Sequence, residues 1–539
     1  MGDFASMEDS FEEKEQVFDG PIPGGGEGSR VFRRLQPLPL TLWCLPHDQH
    51  LPHRETRLVG LCCSVKVEKM GNAESNAYRN HLSRFLPEEQ SDIDEVFDAL
   101  SGSSGSAGAK NGKATKKTVT LAALQAYTRE PLPEQMTVRL YNGMKSIDLT
   151  GKSSGLSEQI AKEQFVIFMS NLLKGNADEK ITIIMRMISK TEGPVKGKQI
   201  QEFTEDLIMS VVHVLSYRNE LKGWNWENTR DPASGVKALA SQLLSELKLA
   251  DGTKPVGPQL TETNFDQSVI EDWVYRVPQI SIFLSVVIRQ GLHVLHSLPD
   301  QTKDILNLVP GCKGIKGRGL VSLFDIPSII YINSHLPAEL QHKWHLLFSS
   351  RLHGESFSQL CGHIVNKGPC IVILKDLDGY IFGGFASHSW EVKPQFQGDN
   401  RCFLFSVFPS LAVYTYTGYN DHYMYLNHGQ QTMPNGLGMG GQHDYFGLWI
   451  DSDYGKGHSK AKPRCTTYHS PQLSAKEDFT LDAMEVWAVG DLPESAGTKG
   501  KKSILDVDPE AQALLEMTGK SRQSEGLREP VEEDDDDDN

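Results

Sequence analysis

No CxxC pair and no His/Cys ligand spacing occurs in this chain, although it carries eight cysteines in 539 residues. Their absence excludes the common zinc sites and a thioredoxin-type redox motif. The cysteines, from Cys44 to Cys465, are spread thinly, as expected of reduced, buried thiols in the cytosol. No run of 18 apolar residues is present; the best candidate, Ile280 to Ile288, is half that length and reads as core. A secretory signal is also lacking. Basic charge is in deficit, with a net charge of −16, so nucleic acid is not expected as a partner. Much of the acidic excess is concentrated in Glu532, Glu533 and Asp534 to Asp538, a run that reads as a solvated tail.

Hydrophobic residues make up 39% of the chain and charged residues 23%, the balance of soluble domains with loose ends. Residues 1–69 contain Gly24-Gly-Gly-Glu-Gly, Leu35-Gln-Pro-Leu-Pro-Leu and no sustained periodicity, and are expected to be disordered. Residues 70–85 form a lipidation segment if Met70 serves as a second start. From 86 to 318 apolar residues recur with helical spacing: Ile93, Val96, Phe97 and Leu100; Met136, Leu140, Met144 and Ile147; Phe165, Phe168, Met169 and Leu172; Ile181, Ile184, Met185 and Ile188; Ile200, Phe203, Leu207, Val211 and Val214; Leu239, Leu243 and Leu247. Short amphipathic helices cannot bury such stripes alone, so they predict one all-α unit.

After Gly319 the rhythm changes to short aromatic and β-branched segments, such as Ile371-Val-Ile-Leu and Cys402-Phe-Leu-Phe-Ser-Val-Phe. Turn formers such as Asp378-Gly379 separate them. The spacing predicts a mostly antiparallel β domain over 319–490, with a helix near His342 to Phe348 feeding into it. The fold class is therefore α+β. A linker, 491–507, precedes a short helix over 508–519. There Asp508 caps, Pro509 starts the first turn, and Ala511, Leu514 and Leu515 form a narrow stripe. Residues 520–539 are the acidic tail. A helix this short is marginal in isolation and must dock on something.

Within 340–490 the chain reads Trp344-His-Leu-Leu-Phe-Ser-Ser, His353-Gly-Glu-Ser-Phe-Ser-Gln-Leu, Gly383-Gly-Phe-Ala-Ser and Gly398-Asp-Asn-Arg-Cys-Phe-Leu-Phe. Asn435-Gly-Leu-Gly-Met-Gly-Gly-Gln, Phe446-Gly-Leu-Trp-Ile-Asp and Met484-Glu-Val-Trp-Ala-Val-Gly follow. In order and spacing these motifs resemble the TLDc domain, over about a third of the chain. The resemblance implies a two-sheet β-sandwich with flanking helices that binds the vacuolar proton-pumping ATPase (V-ATPase), without catalysis. The wider layout resembles animal TLDc proteins of lysosomes, which implies the cytosolic face of that membrane and a link to mTOR.

Four further chemistries can be tested on the residues. Met70-Gly71-Asn72-Ala73-Glu74-Ser75 fits the N-myristoylation pattern, with Gly71 as acceptor if translation starts at Met70. One myristoyl chain binds membranes only marginally, so a second contact is needed. Lys162-Glu-Gln-Phe resembles entry to an EF-hand helix, but Asp148-Leu-Thr-Gly-Lys-Ser-Ser puts Lys152 where an oxygen ligand belongs. The helical region is thus expected to be EF-hand-like in shape, with no metal or cofactor. The glycines from Gly436 to Gly441 lack the Lys-Ser/Thr of a phosphate loop and predict a hairpin or close backbone packing. Ser349, Ser350, His353, Cys361 and His363, with His422, His428 and His443, could supply a hydrolase or an oxidation-protective enzyme. No nucleophile motif marks one of them.

Overall fold

The computed structural model describes residues 76–102, 117–149, 158–224, 232–249, 252–255, 257–295, 308–315, 320–431 and 433–493. The extension before residue 70, Gly71, and the segment bearing Ala511, Leu514 and Leu515 lie outside the described residues.

The helical stripes fold as their spacing requires. In chain order the elements are α1 (Asn76–Leu82), α2 (Pro87–Gly102), β1 (Thr118–Val119), α3 (Leu121–Thr128), α4 (Glu134–Lys145), β2 (Ile160–Ala161), α5 (Lys162–Lys174) and α6 (Ala177–Ile188). Then come β3 (Val195–Lys196), α7 (Gly197–Tyr217), α8 (Pro232–Leu244), α9 (Pro258–Glu262), β4 (Asn264–Phe265), α10 (Gln267–Arg276) and α11 (Pro278–Gly291). Helix α6 shows how local chemistry sets a boundary. Asn176 accepts the N–H of Glu179 at 2.9 Å, and Glu179 reaches back to the N–H of Asn176 at 3.0 Å. Ile181, Ile184 and Ile188 then point inward, while Met185 is only partly buried.

Each two-residue strand leads directly into a helix. β1 pairs antiparallel with β2, Val119 facing Ile160; β3 pairs antiparallel with β4, Val195 facing Phe265. All four of these side chains are buried, so each ladder pins two helix–helix corners to one core.

The second half contains β5 (Gly311–Lys313), α12 (Ile326–Asn333), β6 (Lys343–Ser349), α13 (Ser350–His353), α14 (Phe357–Ile364), β7 (Cys370–Asp376), β8 (Ile381–Ala386) and β9 (Lys393–Gln397). It continues through β10 (Phe403–Phe408), β11 (Ala412–Thr415), β12 (Met424–Asn427), β13 (Gly436–Met439), β14 (Leu448–Asp451), β15 (Lys456–His458) and β16 (Asp478–Val489). The helix expected near His342 to Phe348 is instead β6. A short apolar run has no decisive period, and here β16 offers it a ladder from Trp344 to Ser349. The α-helix at this junction is α12, which ends ten residues before β6 begins, with Asp325 accepting the N–H of Ser328 at 2.8 Å as its cap.

Pairing runs in the order β11-β10-β8-β7-β16-β15-β14-β13-β12-β9, with β6 also on β16 and β5 parallel to β6. β16 joins the two halves of this sheet. Asp478 to Thr480 pair with β15, whereas Leu481 to Ala488 pair with β7, after a register shift between Leu481 and Ala483 that lets the strand bend. The two halves face each other across a core that includes Val372, Leu374, Phe382 and Leu404 from one and Leu426, Leu437, Met439 and Ile450 from the other.

The opposite face of the first half is covered as well. Ile371, Ile373, Phe385, Phe403, Phe405 and Trp487 belong to the same hydrophobic cluster as the helices. Both faces of β7, β8 and β10 are therefore buried, which explains their near-continuous apolar sequences. Trp224, after α7, packs its ring 4.9 Å from Trp487 and 5.8 Å from Trp344, and its indole N–H donates to the Pro310 carbonyl at 2.9 Å. Gly235 in α8 sits so close to the α12 cap that a Cβ there would lie 2.5 Å from Asp325 Oδ2. Gly235→Ala should dislodge the cap and lower stability by about 1–3 kcal/mol. The expected readout is a lower midpoint of a single thermal transition in which helical and β signals are lost together; separate transitions would contradict the shared core.

Candidate functional site

The residues that could supply a nucleophile and a base gather where β6 meets α13 and α14, but their bonds point elsewhere. His353 Nδ1 accepts the backbone N–H of Ser349 at 3.0 Å, and His363 Nδ1 lies 2.8 Å from the Gln359 carbonyl one turn earlier. The two rings sit 4.4 Å apart beside Phe348. Ser350 Oγ accepts the N–H of Met484 at 3.1 Å, while Ser349 Oγ is buried with no hydrogen-bond partner among the described residues. Burial pushes the Cys361 thiol up to about 11 and the Cys370 thiol up to about 12, and raises Cys402 and Cys465 too. A nucleophilic or redox-active cysteine needs the reverse, a stabilised thiolate.

Of the remaining histidines, His422 and His443 belong to another face, whereas His428 touches α14, its Nε2 3.4 Å from Ser358 Oγ. His422 stacks on Phe396 at 4.0 Å, and His443 packs 5.3 Å from Tyr425. His428 lies against Phe357. The His422 and His443 rings extend the aromatic layer formed by Phe396, Tyr425, Phe446 and Trp449. The glycine-rich strand β13 makes room for that layer: a Cβ on Gly438 would meet the rings of Phe446 at 2.7 Å and Trp449 at 2.8 Å. Close packing, one of the readings expected for these glycines, is what the strand displays, without a phosphate cradle.

Among the described residues the helical half has no cation-ligand arrangement either. In an EF-hand the bidentate carboxylate stands four residues after the paired apolar strand position. The corresponding residues here are Ala123, Gln164, Gln199 and Val269. Gln164 Oε1 accepts the N–H of Ala161 at 2.9 Å, and its Nε2 donates to the Ile147 carbonyl at 2.9 Å, so an amide closes the corner. Asp98 is paired with Lys117 at 2.9 Å. Among the described residues no group of three or more His, Cys, Asp or Glu could hold a metal ion.

One buried charge escaped the sequence analysis although its signal was present, a lone glutamate in the apolar run of β16. Glu485 is 2% exposed. Its carboxylate accepts the Leu323 N–H at 3.0 Å, the Ser322 hydroxyl at 2.8 Å and the Trp487 indole N–H at 3.0 Å. It thereby ties the approach to α12 onto the sheet. Burial raises its pKa above the usual 4.5, opposed by those three donors. A raised folded pKa means that its contribution is full below pH 4.5 and fades as pH rises through the folded value. Glu485→Ala should destabilise by about 3 kcal/mol, since three buried donors lose their acceptor. Glu485→Gln should cost less and flatten the decline in urea-unfolding stability between pH 4.5 and neutrality; an unchanged pH profile would contradict this role.

A β-sheet unit with buried thiols and a tightly packed glycine strand follows the helical half, and the family match falls on this unit. The TLDc domain model matches residues 321–490. The chain is 88% identical over 468 residues to MTOR-associated protein MEAK7 of Gallus gallus, covering 87% of this chain and all of that protein. Identity to MTOR-associated protein MEAK7 of Homo sapiens is 60% over 460 residues, covering 85% of this chain and 99% of that protein. The chain belongs to this family. By contrast, nuclear receptor coactivator 7 of Homo sapiens is 33% identical over 173 residues, covering 31% of this chain and 17% of that protein.

Proposed function

We propose that the chain is a non-enzymatic regulator at the cytosolic face of lysosomes that binds the V-ATPase through its TLDc half. The observation that carries this reading is the TLDc match over 321–490 together with the family relationship across most of the chain. The mTOR link draws on those relatives, which are named as MTOR-associated proteins. The helix proposed for 508–519 would add a second contact through Ala511, Leu514 and Leu515, reached across the linker 491–507. A myristoyl group on Gly71, when Met70 is the start, would hold residues 70–85 and the folded body near the membrane. Two linked weak contacts raise the local concentration of each for the other. All of the chicken relative but only 87% of this chain is matched, which leaves room for an added segment such as 1–69.

The reading is tested by retention on detergent-solubilised V-ATPase. The full chain and one ending at residue 503 should both be retained, with tighter retention or pump inhibition only for the full chain. Absence of retention for both would sink it.

The helical half, proposed as 86–318 ahead of a β half at 319–490, is EF-hand-like in this reading. Its support is the geometry of the two strand pairs, in which Val119 faces Ile160 and Val195 faces Phe265, each just before a helix. With amides or apolar residues at the carboxylate positions, calcium has nothing to bind there. Adding millimolar calcium should leave the melting temperature unchanged; a clear rise would overturn this reading of the loops.

A further inference from the structure

From Gly455 to Lys476 the chain has no acidic residue, yet it includes Lys456, Lys460, Lys462, Arg464 and Lys476. In a protein with a net charge of −16 this is a local reversal of sign. The structure gives part of that stretch a shape. Two loops, one after β11 and one after β15, enclose a groove of about 450 Å³ that includes Tyr419, Pro463, Arg464 and His469 in its lining.

The loops are tied firmly together. Thr417 donates its N–H to the Thr467 carbonyl at 2.9 Å and its hydroxyl to the Thr466 carbonyl at 2.8 Å. The Asn420 side chain donates to Thr466 Oγ1 at 3.0 Å and accepts from Thr467 Oγ1 at 2.6 Å. The Tyr419 N–H donates to Thr417 Oγ1 at 3.3 Å, yet its side chain is 79% exposed. A large aromatic group is thus held out in water on a cross-braced loop. Exposed tyrosine and arginine side chains beside a groove match the residue types that dominate protein contacts.

The charges indicate the partner's chemistry. Three of these basic residues are paired with acids: Lys462 with Glu477 at 2.9 Å, Lys460 with Asp478 at 3.7 Å and Lys476 with Asp378 at 3.2 Å. Arg464 donates to the His469 carbonyl at 3.2 Å and has no carboxylate partner among the described residues. Its remaining donors are suited to a carboxylate, which arginine binds through two parallel hydrogen bonds. We infer that this groove docks an acidic protein segment, with Arg464 binding a carboxylate and Tyr419 packing on a neighbouring apolar side chain. The inference deepens the reading of the TLDc half as the docking half and rests on it. A basic strip on an acidic protein would also steer such a segment and repel other acidic surfaces.

The test uses the full chain and a fluorescein-labelled peptide of glutamates around a central leucine, compared with its glutamine counterpart. Fluorescence anisotropy should show at least tenfold tighter binding of the acidic peptide, weakening as salt rises. Arg464→Glu should lose at least tenfold, Tyr419→Ala several-fold, and Arg464→Lys less than Arg464→Glu. Circular dichroism should show all three variants folded, since both side chains are exposed. Equal binding of the two peptides, or an unaffected Arg464→Glu, would overturn the inference. So would an Arg464→Glu variant that lost binding to phosphatidylserine vesicles while keeping the peptide, which would mark a membrane-facing surface. Retention on the V-ATPase is scored separately. Acidic-peptide binding without pump retention would defeat the pump reading and leave the groove; pump retention with equal binding of the two peptides would do the reverse.

Discussion

Strand β16 carries two cores at once, and most of the architecture depends on that arrangement. On one side Met484, Val486 and Ala488 join the interior between the two halves of the sheet. On the other, Ala483, Trp487 and Val489 join the helices. Because successive side chains in a strand point to opposite faces, a slip of one residue would exchange the two sets. Pairing on both edges, with β7 and with β6, holds the register. Glu485 occurs where this alternation would otherwise place another apolar side chain, and its three donors come from the segment entering α12 and from Trp487. A charge at that seam gives the junction directional bonds that apolar packing alone would lack.

The same constraint separates this chain from proteins that share only its TLDc part. In nuclear receptor coactivator 7 the likeness covers 31% of this chain. Here the sheet face bearing Ile371, Phe385, Phe405 and Trp487 is sealed by helices of the same polypeptide, with Trp224 inserted between. What remains available for contact on this half includes the loops, where Tyr419 and Tyr445 are exposed, so helical packing and the choice of docking surface are linked.

Much of this was legible in the residues. Wherever a stripe ran for two turns or more, as in Ile200 to Val214, its inward face was apparent from spacing, and those side chains are buried. The run Trp344 to Phe348 was not, because a strand buried on both faces and a short buried helix have the same composition. The glycines of β13 showed themselves as close-packing positions, but which rings they admit depends on Phe446 and Trp449, which are distant in the alternation. The histidines were read only as candidates; their actual partners, backbone groups, a serine hydroxyl and aromatic rings, are set by turns that no pattern announces. Glu485 was visible as an oddity, and only the fold supplies its donors.

The shared core also has a mechanical meaning. An interface of two loosely apposed domains slips when one of them is pulled, whereas interlocked side chains give way only by unfolding. Trp224, Trp344 and Trp487 form such an interlock between helices and sheet. A pull applied at α1 would therefore reach the strands through this core rather than through a hinge.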